Sequence, residues 1–379
     1  MALGHIALFV QSDIGVATHH STGFVDAAQG FVAISGLVIG LVFGKWLLRE
    51  SAAVMRRKLV ARMIVVWRWH VYLLGAILLL AVALPGSPAP LTPQMTTEPW
   101  LFALLGATLL SGPRFIDILP LYLVFMALTP AALISMQRGK WTSVAVVSGI
   151  AWAIGQTPLL DLALGAFAQQ TGIAERGLSV GLYFNFLGWQ VLYFAGLAGG
   201  FLMAQERLSL GFLHQPAGRT LAWFSLCLAA LFFALPRLIA FGVLAPELGN
   251  AILSAFDRRD MTLPRIAIFA AHFYLVLWLI VAARDARAPW LRGLSRLLDR
   301  FVTWRPLVFL GQHSLQVYAW HVLLCYLITI FAADHLNRAP WLLRECAVVL
   351  SALTLFVPAI LNARYQRHAA GLRAVAQTS

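Results

Sequence analysis

The chain has 379 residues, of which 60% are hydrophobic and 11% charged, and its mean hydropathy is +0.80. Soluble domains carry about 25% charged residues, so this composition excludes a soluble globular protein and places the chain in a bilayer. The net charge of +13 does not argue for nucleic acid as a partner, because the basic residues cluster in short loops between apolar segments, the pattern of cytoplasmic loops.

MALGHIALFV is apolar for about half the length of a span before Gln11-Ser12-Asp13. Either the first helix is partial or the true start lies upstream. FVDAAQGFVAISGLVIGLVFGK (24–45) is long enough to cross, with Asp26, Gln29, Ala33, Gly36 and Gly40 on one side and Gly44 extending the four-residue glycine repeat. Such small faces admit a close neighbour. A carboxylate at membrane depth costs on the order of 3 kcal/mol or more, so Asp26 either faces the interior or caps the helix start.

Further spans are expected at 63–84, 115–136, 141–158, 186–205, 218–244, 265–283, 307–331 and 341–363. The fold class is therefore all-α: a polytopic transmembrane bundle of about ten spans, counting the partial first helix. Residues 1–363 read as a single membrane domain and 364–379 as a basic tail. EPWLFALLGATLLSG (98–112) reads as an interfacial or re-entrant helix, and 159–184 as a segment dipping partly into the membrane. Every second loop is basic, beginning with Lys45, Arg49, Arg56, Arg57, Lys58 and Arg62. That alternation predicts both termini in the cytoplasm.

Polar residues inside apolar runs are the candidate site. His5 is either a hydrogen-bonded core residue or a base, since a neutral imidazole accepts a proton at working pH. Arg68 and His70 read as snorkelling and anchoring groups. Arg114 and Asp117, three apart, pair on one helix face or bind an anion near the outer surface. Asn185 caps a helix or donates to a substrate, with Trp189 one turn on and Gly196 and Gly200 marking a second close-packing helix. FDRRDMTLPR (256–265) reads as a solvated turn. In LGQHSLQVYAWHVLLCY (310–326), Ser314, Tyr318, His321 and Cys325 share a face, with His313 adjacent. No metal is expected: His19-His20 is too short a cluster, and Cys227, Cys325 and Cys346 have no ligand spacing.

Several of these segments resemble the OpgC family of membrane acyltransferases, within the acyltransferase-3-like group. FVDAAQGFVAISGLVIGLVFGK is similar to its early signature, and GHIALF to the segment carrying its histidine. LPLYLVFMALTP, YFNFLGWQVLYFAG and PLVFLGQHSLQVYAWH are similar to further segments in the same order. The family's acidic residue before the histidine is Gly4 here, and its DAAE reads Asp26-Ala27-Ala28-Gln29. Its arginine-bearing stretch is expected upstream of the sequence in hand.

The resemblance implies a multi-pass protein of the bacterial inner membrane that moves an acyl group from cytoplasmic acyl-CoA to a glycan hydroxyl outside. In the name-giving members the group is succinyl and the acceptor an osmoregulated periplasmic glucan. Acetyl-CoA is the other donor considered, as a co-substrate; no permanently bound cofactor is expected. The catalytic candidates are His5 as base and Asp26 orienting it. Candidates for the acceptor or oxyanion are Asn185, Trp189, His313, Ser314, His321 and Arg114. Arg56, Arg57, Lys58 and Arg62 are candidates for the phosphates of CoA, or simply topology signals. A transporter and a catalytically degenerate family member are the alternatives.

Overall fold

A computed structural model describes residues 2–14, 24–86 and 91–378. Among them there are helices and no strands. The first helix, α1 (Ala2–Phe9), is eight residues, about 12 Å at 1.5 Å per residue, under half the ~30 Å hydrocarbon core. Next come α2 (Ala27–Arg49) and α3 (Ala52–Ala83), the latter 32 residues or about 48 Å. It is long enough to carry its basic first turns beyond the bilayer. After α4 (Pro99–Ala107) follow α5 (Ile118–Gln137), α6 (Trp141–Gly155), α7 (Leu159–Gln170) and α8 (Phe186–Ala204). The second half holds α9 (Pro216–Ala240), α10 (Pro246–Ala255), α11 (Leu263–Val281) and α12 (Pro289–Val302). It ends with α13 (Arg305–Gln312), α14 (Ser314–Phe331), α15 (Ala333–Arg338), α16 (Trp341–Leu353) and α17 (Phe356–Thr378).

Eight of the described helical stretches are long and apolar enough to span: α2, α3, α5, α8, α9, α11, α14 and 341–369. α6 and α7 bend by 65° at their break and make a ninth if they form one broken span. The count is thus eight or nine, with α1 too short to join it, against the expected ten. α17 runs continuously through residues 363 and 364.

The stretch 98–112, expected to be interfacial or re-entrant, holds α4. Its C-terminal carbonyls, freed at the helix end, are taken by α3: His70 Nε2 bonds Gly106 at 2.9 Å, and Trp67 Nε1 donates to Ala107 at 2.9 Å. Arg68 lies exposed beside the Tyr72 hydroxyl, 3.2 Å away.

The two glycine-faced helices pack on each other, running parallel. A Cβ on Gly36 would lie 2.1 Å from the Tyr193 carbonyl oxygen, and one on Gly40 2.2 Å from that of Leu197. The relation is mutual: Gly196 and Gly200 press on Ala33 and Leu37 at 2.1 and 2.0 Å. Only hydrogen fits in such a seam, so the backbones approach closely and dispersion contacts multiply.

This seam fixes direction. α2 and α8 both begin near Asp26 and Asn185 and end at Lys45, Arg49 and Arg207. Lys58 sits over Trp46, 3.9 Å from the ring centre, which puts the basic start of α3 at the same end. One end of the bundle is therefore basic, and the other carries the turns around Asp26, Arg114 and 256–262.

Candidate functional site

A cavity of about 430 Å³ opens at the end opposite the basic loops. Its polar walls are His5 from α1, Arg114 and Asp117 from the turn before α5, Arg258 from the α10–α11 loop, and Tyr318 from α14; Phe9, Phe115 and Phe184 supply much of the apolar lining.

His5 reaches this wall because α1 is docked by polar contacts at its C-terminal end. Asn337 on α15 brackets the helix end: its Nδ2 donates to the Phe9 carbonyl at 3.0 Å and its Oδ1 accepts from Gln11 N at 2.9 Å. Glu345 on α16 accepts from the Ser12 hydroxyl at 2.6 Å, Asp13 N at 2.8 Å and Ile14 N at 3.3 Å. Trp341 Nε1 donates to Asp13 Oδ2 at 2.8 Å. Apolar contact of Ile6 and Val10 with Cys325, Ile328 and Val348 completes the dock.

His5 Nδ1 lies 3.2 Å from His321 Nε2, both rings buried. In the neutral imidazole one nitrogen donates and the other accepts. Of the two facing nitrogens, one therefore donates and the other accepts. A histidine oriented by a second histidine in this way has the side chain a general base needs.

The turn carrying Arg114 is held from α14. Tyr326 donates its hydroxyl to the Arg114 carbonyl at 3.0 Å, and Tyr318 donates to the Phe115 carbonyl. Phe115 has φ +70°, a backbone rarely adopted by a bulky residue, and it lies between these two clamps. Arg114 and Asp117 both stand in this turn rather than as a pair along one helix face. Asp117 is buried and accepts from Tyr183 N at 3.2 Å.

The loop 256–262 is not the solvated turn expected from its charges. Trp189, fully buried, donates Nε1 to the carbonyls of Arg258 and Arg259 at 3.0 and 3.1 Å. Asn185 N donates to the Arg259 carbonyl at 2.9 Å, and Gln156 Nε2 to that of Asp260 at 2.8 Å. Gly188 leaves room for this loop; a Cβ there would lie 2.1 Å from the Asp260 oxygen. Arg259 points away to Asp161, whose carboxylate raises its guanidinium above the ordinary value. Arg258 points to the cavity, its ring-facing side 5.2 Å over Phe184.

Asp26 is the N-cap of α2, accepting from Ala28 N and Gln29 N at 2.9 and 3.2 Å, while Gln29 Oε1 accepts from Asp26 N in return. The amide at position 29 therefore completes a capping box. The second oxygen of Asp26 lies 2.8 Å from Arg258 Nε and 3.5 Å from Arg265 Nη1. Asp26 thus bears on the cavity by holding Arg258; these contacts do not include the orienting bond to His5 expected above.

The other candidates separate. His321 joins His5. Asn185 caps α8 through Leu187 N at 3.0 Å and spends its amide on Gly155 O and Asp260 Oδ1 at 2.8 and 2.9 Å. Trp189 supports the Arg258 loop. His313 accepts from Asn362 Nδ2 at 2.9 Å, at the break between α13 and α14. Ser314 and Arg62 line a different cavity, described below, whereas Arg56, Arg57 and Lys58 are exposed at the basic end. His272 bonds the Ile268 carbonyl of its own helix at 2.9 Å. His19 and His20 lie outside the described residues.

Sequence reasoning missed Arg258, Asn337 and Glu345 and left Tyr318 off the site. A lone carboxylate in the apolar run 341–363 was the available signal for Glu345. Arg258 had none, because its direction is set by Trp189 and Asn185 from a distant helix.

The helices and the cleft define a multi-pass membrane protein with a coupled histidine pair and two guanidinium groups facing one cavity. The chain belongs to the OpgC protein family, whose model matches residues 1–367. Membership suggests an acyltransferase. No curated protein and no solved structure matches the chain.

Proposed function

We propose that this protein is an inner-membrane O-acyltransferase that takes a succinyl or acetyl group from cytoplasmic acyl-CoA and places it on hydroxyls of a periplasmic glycan, of the osmoregulated glucan type. The observation that carries this reading is the His5–His321 pair at 3.2 Å on the wall of an arginine-flanked cavity.

The chemistry needs a base for the acceptor hydroxyl and donors for the developing oxyanion. His5 Nε2 removes the hydroxyl proton as the oxygen attacks the thioester carbonyl. The new C–O bond forms, the C–S bond breaks, and the proton passes to the departing CoA thiolate. His321 fixes the His5 tautomer and spreads the charge of the imidazolium. Arg114 and Arg258 stabilise negative charge, either on the tetrahedral oxygen or on an acidic group of a substrate. Arg258 is held for this by Asp26. Arg56, Arg57 and Lys58 offer exposed cations for the phosphates of CoA at the basic end.

Membrane vesicles carrying the protein, supplied with acyl-CoA inside and glucan outside, should release free CoA and yield acylated glucan by mass spectrometry. His5→Ala should lower both by about 10²–10⁴-fold while leaving extraction and elution unchanged. Wild-type transfer by His5→Ala would remove the base assignment. Glycan uptake without CoA release would instead identify a carrier.

A further inference from the structure

A second cavity, of about 340 Å³, is lined by Phe31, Ser35, Arg62, Tyr122, Ser314 and Tyr318 among others. Three helices independently order it against the first. Along α2, Ala28 faces the His5 cavity, whereas Phe31, Ser35 and Val38 face the second. These lie about 5–15 Å further toward the basic end at 1.5 Å per residue. Along α5, Asp117 and Ile118 adjoin the first, and Leu119 and Tyr122 the second. Along α14, which runs the other way, Ser314 and Leu315 line the second and Tyr318 lines both. The cavities are thus stacked along the bundle, the second on the basic side, with Tyr318 as shared wall.

The shared side chain is buried, and its ring rests edge-on against His321 with centroids 5.0 Å apart. Its hydroxyl donates to the Phe115 carbonyl, the cavity-lining residue whose φ is already unusual. Turning the Tyr318 ring would break that bond. The lower space suits a thin, amide-bearing arm that ends in phosphate: Ser35, Ser314 and Tyr122 line it, as does Arg62, one turn from Lys58.

We propose that Tyr318 is a movable partition between the two cavities, and that the pantetheine arm of a thioester donor enters the basic-side cavity and reaches His5 when this ring swings off the Phe115 carbonyl. The proposal rests on the acyl-transfer reading for the identity of the arm.

The test is thiol labelling in sealed vesicles of both orientations, with the full chain carrying alanine at Cys227, Cys325 and Cys346. Ile118→Cys reports on the upper cavity and Ser35→Cys on the lower. A small impermeant thiol reagent on the basic side should label Ser35→Cys readily and Ile118→Cys slowly. Tyr318→Ala should speed basic-side labelling of Ile118→Cys at least tenfold. Tyr318→Phe, which keeps the ring and is least able to disturb folding, should give a smaller rise. Excess desulfo-CoA on the basic side, which lacks the thiol that would consume the reagent, should slow labelling of Ser35→Cys severalfold. Unchanged Ile118→Cys labelling in both Tyr318 variants overturns the partition. A Ser35→Cys thiol that is closed from the basic side, or unprotected by desulfo-CoA, overturns the donor route. Labelling needs no acyl transfer, so a partition that opens in a protein releasing no CoA would leave the gate standing and remove the acyltransferase reading instead.

Discussion

Two helix seams in this molecule are built from opposite materials. The α2–α8 seam joins backbones through Gly36, Gly40, Gly196 and Gly200 with no space for a methyl group. The α1–α14 seam and its supports join side chains, through His5–His321, Asn337 and Glu345. The first gains its stability from dense contact, which has no second arrangement of similar energy. The second combines the apolar contacts of Ile6 and Val10 with hydrogen bonds that average about 0.6 kcal/mol each in membranes. The rigid seam carries Asn185 and Trp189, which fix the Arg258 loop. The polar seam carries the proposed proton chemistry. A membrane enzyme needs both, because reacting groups misplaced by about 1 Å can lose a hundredfold in rate.

The comparison breaks most visibly if the glycine seam is filled. Gly40→Leu or Gly200→Leu should remove most of the monodisperse protein in fluorescence-detected size exclusion. Ile34→Leu, an exposed site on the same helix, should elute as wild type. A well-behaved Gly40→Leu protein would contradict the packing.

On the polar seam, His5→Ala should cost 10²–10⁴-fold in transfer, the range for a general base, with an unchanged elution profile. His321→Ala should cost less, because it frees the tautomer without removing the base; equal rates for wild type and His321→Ala would show that the pair is not coupled. Glu345→Gln loses the anionic acceptor of Ser12, Asp13 N and Ile14 N. About a tenfold lower kcat is expected, with KM little changed.

A finer test separates the role of Asp26 from that of His5. Asp26→Asn and Arg258→Ala should each slow transfer severalfold, and the double variant should be no worse than Arg258→Ala alone, since residues acting through one contact are non-additive. Additive losses would mean that Asp26 acts elsewhere. The smallest effect is expected at Arg57→Ala, within about twofold at saturating donor, with any change confined to KM for acyl-CoA.

Much of the bundle was legible before any coordinates. Apolar length located the long helices, and the four-residue glycine spacing marked both faces of the seam, though not that they face each other. The short α4 lies in the stretch read as interfacial or re-entrant and α7 in the mixed-polarity stretch 159–184, but the pattern reads 141–158 as a span of its own and does not show that α6 and α7 form a bent pair. The loop 256–262 was misread because its charges look solvated; only the carbonyls that Trp189 and Asn185 hold reveal that it is docked. Asp26 reads as a polar residue needing a reason, and a cap is one of the two the sequence offers, but the guanidinium groups beside it come from the α10–α11 loop and the start of α11, more than two hundred residues away.

What the sequence determined by itself was local and periodic: which stretches leave water, which faces are small, and which loops are basic. Those follow from transfer energy and helical spacing, which act within one segment. The tertiary structure decided which ionisable groups meet. It set His5 on His321 and Arg258 on Asp26 and placed Tyr318 between two cavities. Such pairings depend on how separate helices dock, and no spacing along a single chain segment encodes that.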